Sequence, residues 1–546
     1  YRQILAILFK YGFGDLLDRL SIDQYIGAGL QAISRKRAER VSKLTRPQRL
    51  RMAFEELGPT YIKLGQILSS RPDLVPVDIL QELARLQDAV PPFPFEDAKA
   101  VIESEFGVSA EELFDRLDQQ PLASASIGQV HKGLTKDGEP VAVKFQRPDI
   151  KKIIEVDLEI MLHLATLAER HIKEFEIHRP VKIVEEFART LEKEIDYRIE
   201  ATNMERIARR FLDLPHVYIP AVFREFTTSR VLTTELIEGI KISKIEAIVE
   251  AGLDQKIIAD RVVGLVFKQA FEYGFFHADP HPGNIFVLAD NVICLVDYGM
   301  MGLVDRATRE AFVDLIDSVV HQQEVKTAQV LLNLTDWDEE PDIRALEREV
   351  ADFMGRHLYK PLKDMEIGKL LQDLLHLTIR FRLRLPPDIF LMIKALSSVE
   401  GVGRALDPDF DLIAHARPFI QRVKLERFGP KRISADVYDM MSRLLLFLQQ
   451  FPKDLMDLTG MIRQHRLSLQ LEHKGLESML ATQDQTSNRM SFAIIIAALI
   501  IGSALIVISE IPPLVYGISL IGIIGYLVAA IMGIWLLVAI IRKGRL

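Results

Sequence analysis

His277-Ala278-Asp279-Pro280-His281-Pro282-Gly283-Asn284 is the stretch on which the fold turns. An Asp with four residues between it and an Asn has the spacing of a kinase catalytic loop, where the Asp faces the nucleophile and the Asn holds magnesium. Alone the pattern is weak, because His, Asp and Asn are common loop residues. Just downstream, directly after the apolar run Ile293-Cys294-Leu295-Val296, comes Asp297-Tyr298-Gly299. A kinase puts its second magnesium-binding Asp there, with a Gly that lets the chain turn away. Upstream, Val141-Ala142-Val143-Lys144 matches the strand whose Lys reaches the α- and β-phosphates of ATP. Three such motifs in the right order make coincidence improbable.

The phosphate loop departs from this pattern. Aligned on Gly128 and Val130, the chain reads Ala123-Ser124-Ala125-Ser126-Ile127-Gly128-Gln129-Val130. The last Gly and the Val of a Gly-x-Gly-x-x-Gly-x-Val loop remain, and the first two glycines are alanines. A Cβ removes both the close approach of backbone amides to phosphate and easy access to positive φ. The loop is expected to cover nucleotide in another shape, with its seryl hydroxyls replacing some of the lost donors. The acid that pairs with Lys144 is sought on the helical pattern Val181–Phe211, where Asp196, Glu200 and Asn203 fall on one face. A solvated charged face fits the same spacing. The long span from Lys144 to Glu200 implies an inserted helix near Asp157–Lys173. Nearer the N-terminus, Tyr61-Ile62-Lys63-Leu64-Gly65-Gln66 puts Lys63 and Gln66 one helical turn apart, with Gly65 allowing close packing. By itself this is an ordinary helix segment.

The 546 residues are 49% hydrophobic and 26% charged, enough for several domains and too apolar for disorder. Cys294 is the single cysteine, which excludes an intrachain disulfide and a cysteine-based zinc site and fits a reducing compartment. Against a net charge of −8, residues 491–546 carry three bases and one acid, so the body before them is acidic and ill suited to nucleic acid. One stretch runs the other way: Arg35, Lys36, Arg37, Arg40, Lys43, Arg46, Arg49 and Arg51 stand against Glu39. It reads either as a solvated helix face or as a patch for anionic lipid head groups.

Ser491–Ser509 and Leu514–Ile541 contain no charge, and a spanning helix needs about 20 apolar residues. Glu510, Pro512 and Pro513 separate the two runs. Arg489 before them and Arg542, Lys543 and Arg545 after them put both ends on the cytoplasmic side of a bilayer. A buried helix pair in a soluble core is the alternative. Small residues at Ala498, Gly502, Gly525, Ala529 and Gly533 suit close helix packing, within the hairpin or in a homodimer. Near the N-terminus, Ile4–Phe9 is too short an apolar run for a signal sequence.

The expected class is α+β, a protein-kinase-like two-lobed fold with an N-terminal helical extension and a C-terminal transmembrane helical hairpin. The expected divisions are a helical extension at 1–120, a β-rich small lobe with an inserted helix at 121–239, a helical large lobe at 240–420, a membrane-proximal helical segment at 421–490 and two transmembrane helices at 491–546.

Taken together, Lys-x-Gly-Gln at Lys63–Gln66, the Ala-Ser-Ala-Ser loop, Glu194-Ile195-Asp196 and the His277–Asn284 motif make a sequence that resembles the UbiB family of atypical kinase-like ATPases. The resemblance covers roughly residues 10–420. It implies magnesium-dependent ATP binding and support of isoprenoid-quinone (ubiquinone) biosynthesis at a membrane, in a bacterium the inner membrane, with the body cytoplasmic. By resemblance, Lys63 and Gln66 belong to a lid whose partners are Glu194 and Asp196, and Lys144 and Glu200 clamp the nucleotide. Asn284 and Asp297 hold Mg2+, Asp279 stands at the base position, and Glu235, Leu236 and Ile237 form the adenine hinge. The partners implied are anionic membrane lipids and either quinone-biosynthesis proteins or prenylated quinone precursors. After Gly299 no room is left for an activation segment, the platform for a peptide substrate. The readings left open are an ATPase, a small-molecule or lipid kinase using Asp279 as base, and a nucleotide-gated scaffold.

Overall fold

The computed structural model describes residues 1–15, 44–69, 71, 74–86, 91–172, 179–337, 340–357, 367–427, 429–463, 476–509, 511–515 and 518–542. Two compact units are present, Tyr1–Ala435 and Asp436–Leu546.

In the first unit, α1 (Arg2–Lys10), α2 (Arg46–Leu57), α3 (Pro59–Ser69) and α4 (Val77–Leu83) form the N-terminal helical layer. Thr45 and Gln48 make a capping box that starts α2, satisfying amide donors a free helix end would leave open. Gly65 in α3 is a packing requirement: a Cβ there would lie 2.2 Å from Leu86 Cδ1 and 2.9 Å from Phe54 Cδ2. Of the basic stretch, Arg35, Lys36, Arg37, Arg40 and Lys43 lie outside the described residues. Arg49 donates to the Tyr11 carbonyl at 3.3 Å, and Arg51 pairs with Glu55 at 2.5 Å and Glu82 at 3.1 Å. Those two cations are engaged inside the protein.

The small lobe is a four-stranded antiparallel sheet in the order β1-β2-β3-β5, built from β1 (Phe114–Ser124), β2 (Gly128–Thr135), β3 (Pro140–Gln146) and β5 (Val231–Glu235). Asp137-Gly138 makes the hairpin turn between β2 and β3, with Gly138 at φ 84°. The lobe begins earlier than residue 121. Strand β1 starts at Phe114, and α5 (Phe95–Phe106) packs Ala98, Val101 and Ile102 against Val141, Val143 and Phe145. The polar sequence of β1, with Pro121 and register shifts against β2, conceals an edge strand with few buried residues.

Between β3 and β5 two helices are inserted, α6 (Ile150–His171) and α7 (Pro180–Glu194), and α8 (Tyr197–Phe211) follows. The pattern Val181–Phe211 is therefore two helices. Asp196 breaks it by capping α8, where its carboxylate accepts the Arg198 amide at 3.0 Å. Ile150, Ile154, Phe187, Leu191 and Tyr197 share a core with Phe54, Tyr61 and Ile62, which fixes the N-terminal layer to the inserted helices.

The large lobe is organised around α9 (Gln255–Phe267), whose Ile258, Ala259, Val262, Val263 and Val266 are fully buried. A second sheet, in the order β4-β9-β8-β6, comprises β4 (Val217–Tyr218), β6 (Ile240–Lys241), β8 (Ile285–Val287) and β9 (Ile293–Leu295). Strands β7 (Phe275–His277) and β10 (Met301–Leu303) pair beside it. From Arg306 the described chain is mainly helical: α10 (Arg306–Val320), α11 (Glu324–Leu334), α12 (Ile343–His357), α13 (Ile367–Arg380), α14 (Pro387–Leu406) and α15 (Leu412–Arg427).

Helix α16 (Pro430–Arg463) runs into the second unit, which also holds α17 (Leu476–Ile508) and α18 (Leu520–Arg542). Thr486–Ile508 and Leu520–Leu537 are long and apolar enough to cross a membrane by length and composition, with mean hydropathies of 2.8 and 2.4. A two-stranded pair, Leu514–Val515 with Ile518–Ser519, lies between them. Of the small residues, Gly525 meets α17 directly, since a Cβ on it would lie 2.1 Å from Ser503 Oγ, and Ala529 is buried. Gly502 and Gly533 have open space beside them. The spacing thus serves the hairpin at Gly525.

Candidate active site

Strand alternation aims Lys144 at the cleft. Val141, Val143 and Phe145 are fully buried against α5, so Lys144 projects from the opposite face of β3. Its Nζ lies 2.8 Å from Glu200 Oε2 on α8 and 3.7 Å from Asp297 Oδ1. Burial opposes the ammonium charge, but Asp297 and Glu200 together raise its pKa well above the ordinary lysine range. The Glu200 carboxyl is pushed up by burial and pulled back by Lys144.

Helix α8 also latches the segment after Asp297. Glu200 Oε1 accepts the Tyr298 amide at 3.2 Å, and Asn203 Nδ2 donates to the Tyr298 carbonyl at 3.0 Å. The face on which Glu200 and Asn203 were expected therefore exists, and it closes on a backbone. Asp196 leaves that face because it is the cap.

Asp297 follows β9 at φ 65°, a left-handed conformation that Asp tolerates better than most residues. The turn leaves its carboxylate 53% exposed in the cleft, where Oδ1 accepts the Gly299 amide at 3.2 Å. Lys144, then Lys63 and His277, hold this carboxyl well below the usual range. Asn284 is set beside it, because the Val296 amide donates to the Asn284 carbonyl at 2.9 Å. Among the described residues no group of three or more His, Cys, Asp or Glu could hold a metal. Asn284 and Asp297 supply hard oxygen donors and little else, a set that fits magnesium, which takes few protein ligands and completes its shell with phosphate oxygens and water.

The His277–Asn284 loop is built on β7. Buried His277 receives the Asp279 amide on Nδ1 at 3.1 Å, and burial pushes its pKa down, which keeps that nitrogen an acceptor. Asp279 is half-buried with its carboxylate in the cleft. Two residues that sequence reasoning missed support the loop from α14: Lys394 Nζ lies 3.3 Å from Asp279 Oδ2, and Ser398 Oγ donates to the Pro280 carbonyl at 3.1 Å. No local motif marks either one.

The β1–β2 turn roofs the site. Ala123 is exposed, and the Ala125 amide donates to the Gly128 carbonyl at 2.7 Å, so it is committed to the turn. Ser126 was expected to serve nucleotide, but its side chain is fully buried, because the tight turn points it into the lobe. Ser124 Oγ is buried without a protein hydrogen-bond partner and remains a candidate donor. Gly128 is required by packing, since a Cβ would lie 2.3 Å from the Tyr197 hydroxyl and 2.4 Å from the Phe145 carbonyl. Val130 sits opposite Lys144 in the β2–β3 register.

At the hinge, the Leu236 amide donates to the Pro140 carbonyl at 3.1 Å, and Ile237 follows half-buried. The Glu235 carboxylate accepts the Tyr218 hydroxyl at 2.7 Å and the Ala221 amide at 3.2 Å, which engages its side chain elsewhere and leaves the role of a hinge to backbone.

Of the residues expected in a lid, Lys63 has its Nζ 2.5 Å from Glu194 Oε1, both side chains nearly buried. Asp196, the other expected partner, is instead gripped by Arg198 at 2.7 Å and 2.9 Å, since its place is the cap of α8. Gln66 is half-buried on the same helix. Arg71 pairs with Glu186 at 2.9 Å and lies 5.4 Å over the Phe390 ring of α14, so the N-terminal layer reaches both lobes.

Family models match this chain in three places: the ABC1 atypical kinase-like domain at residues 85–331, the UbiB helical domain at 350–411 and the ABC1/UbiB kinase-like C-terminal domain at 474–542. A Clostridium pasteurianum protein called "Uncharacterized protein in hydrogenase 1 5'region" is 31% identical over 100% of this chain and 99% of its own. A "Probable protein kinase UbiB" of Marinobacter nauticus is 34% identical over 85% of each chain, and one of Cellvibrio japonicus is 37% identical over 72% of each.

Proposed function

Because the chain belongs to the ABC1/UbiB family of atypical kinase-like proteins, we propose that it binds ATP with magnesium and hydrolyses it in support of isoprenoid-quinone biosynthesis at a bacterial inner membrane. The observation that carries this reading is the Lys144–Glu200 pair with Asp297 3.7 Å from the same ammonium. Lys144 would meet the α- and β-phosphates, and Asn284 and Asp297 would hold the metal. Bound there, magnesium would neutralise charge on the phosphate oxygens. Asp279 would orient an attacking water and take its proton.

A protein substrate is disfavoured by the chain after Gly299. Strand β10 begins at Met301 and α10 at Arg306, which leaves no peptide-docking segment. Two apolar C-terminal helices are in keeping with a membrane-borne setting, body on the cytoplasmic side, with prenylated quinone precursors, quinone-biosynthesis proteins or anionic lipid as partners. The test is phosphate release from Mg-ATP by the full chain in detergent, with and without a prenylated phenol. Release of phosphate to water supports the ATPase. Phosphate transferred to the phenol makes it a small-molecule kinase, and nucleotide binding without turnover makes it a scaffold.

A further inference from the structure

Helix α14 brings one face to the catalytic loop. Along it Ile389, Phe390, Met392, Ile393, Ala395 and Leu396 are buried, while Lys394 and Ser398, one turn apart, stay accessible on the side that meets the loop. Ser398 holds the Pro280 carbonyl at 3.1 Å, and Lys394 brings its ammonium to 3.3 Å from Asp279 Oδ2. Holding the loop needs no cation here, since Ser398 already bonds its backbone. The placement makes sense if the charge is needed for something else in the same spot. An ammonium has three donors. Asp279 uses one, and the side chain is still 30% exposed.

We propose that Lys394 is a catalytic residue that contacts the γ-phosphoryl group as it passes to the nucleophile. This inference rests on the reading of the cleft as an ATP-hydrolysing site. A water held by Asp279 must come within about 3–3.5 Å of the γ-phosphorus, and Nζ stands 3.3 Å from the carboxylate that would hold that water. The water oxygen forms the new bond to phosphorus while the bond to the β,γ-bridging oxygen breaks. The bridging oxygen keeps the electron pair and leaves on ADP, and the water's proton goes to Asp279 and then to solvent. Charge spreads over the three equatorial oxygens during this step, where a fixed cation helps most. Lys144 and Lys394 then serve opposite ends of the triphosphate, one from each lobe.

The experiment uses the full chain in detergent, as wild type, Lys394→Met and Lys394→Arg. Turnover of Mg-ATP is measured together with binding of ADP and of ADP plus aluminium fluoride, which mimics the phosphoryl group in transit. Lys394→Met should lower kcat about 100-fold, with KM for ATP changed by about three-fold or less. Its ADP affinity should stay within about two-fold, and its preference for the aluminium-fluoride complex should vanish. Lys394→Arg should recover about ten-fold of the lost rate, since it keeps the charge at altered geometry. Full kcat in Lys394→Met, or an undiminished preference for aluminium fluoride, overturns the proposal. So does loss of ADP affinity in both variants, which marks a structural role. A wild type that binds no nucleotide overturns the ATP-site reading itself, a result distinct from an active wild type matched by Lys394→Met.

Discussion

At Asp297 the backbone is in a left-handed conformation and the side chain is the best candidate metal ligand in the cleft. Asn is the replacement that preserves the first property while weakening the second, because it tolerates positive φ about as well as Asp. Asp297→Asn should therefore leave the melting temperature without nucleotide within about 1 °C, roughly what a ΔΔG of 1 kcal/mol does in a chain of this size. Lys144 keeps Glu200 as its partner. Stabilisation by Mg-ATP should be lost, and a thermal scan with and without Mg-ATP measures both quantities. Gly128 gives the opposite expectation. Gly128→Ala drives a methyl into the Phe145 carbonyl, and overpacking of this kind costs about 1–3 kcal/mol. Its effect should appear as a lower denaturation midpoint, before any nucleotide is added. Lys144, Asp279, Asn284 and Asp297 were legible in the sequence because each sits in a short motif next to a strand or tight loop. Lys394 was not, because an isolated Lys in an apolar helix acquires meaning from packing that brings α14 under the loop.

Between elements, the informative contact is that of α3 with α7. Lys63 and Glu194 are 12% and 13% exposed, so neither charge is comfortable without compensation. Lys63→Glu should loosen the N-terminal layer, and adding Glu194→Lys should restore part of the docking. The coupling expected for a contacting pair is about 0.5–3 kcal/mol, measured as protection of residues 44–69 from proteolysis in both single variants and the double. Asp196 provides the contrast. Asp196→Ala removes the cap of α8 and should cost about 1 kcal/mol, additively with Lys63→Glu, because the carboxylate is spent on Arg198 and the helix end. Periodicity read α7 and α8 as one helix, since Asp inside a charged helical pattern looks the same whether it caps or faces solvent. One inserted helix was legible from the length of chain between Lys144 and Glu200, and the structure has two there. Strand β1 was not, because an edge strand with polar residues and a proline lacks the alternation that marks a half-buried one.

For the whole molecule, the division near Ala435 decides where the chain can be cut. Tyr1–Ala435 contains both lobes, the N-terminal layer and every residue of the candidate site, with its core closed on itself. Past that point, α16 exposes Met440, Met441, Leu444, Leu445, Phe447, Leu448 and Phe451. Apolar surface on that scale promotes association in water. A chain ending at residue 435 should therefore be soluble without detergent and should keep the Mg-ATP stabilisation of the full chain. One ending at residue 490 lacks the apolar spans and should still self-associate. Sedimentation of the two products without detergent separates these outcomes. The shorter product also tests the basic stretch. If Arg35–Lys43 meets anionic lipid, the soluble body should bind acidic vesicles and release them steeply between low and physiological salt, where exposed charges are screened beyond about 8 Å. Arg49 and Arg51 contribute little to that slope, being occupied by Tyr11, Glu55 and Glu82. Equal binding to neutral and acidic vesicles would assign the stretch to a solvated helix face and leave the membrane to the C-terminal helices.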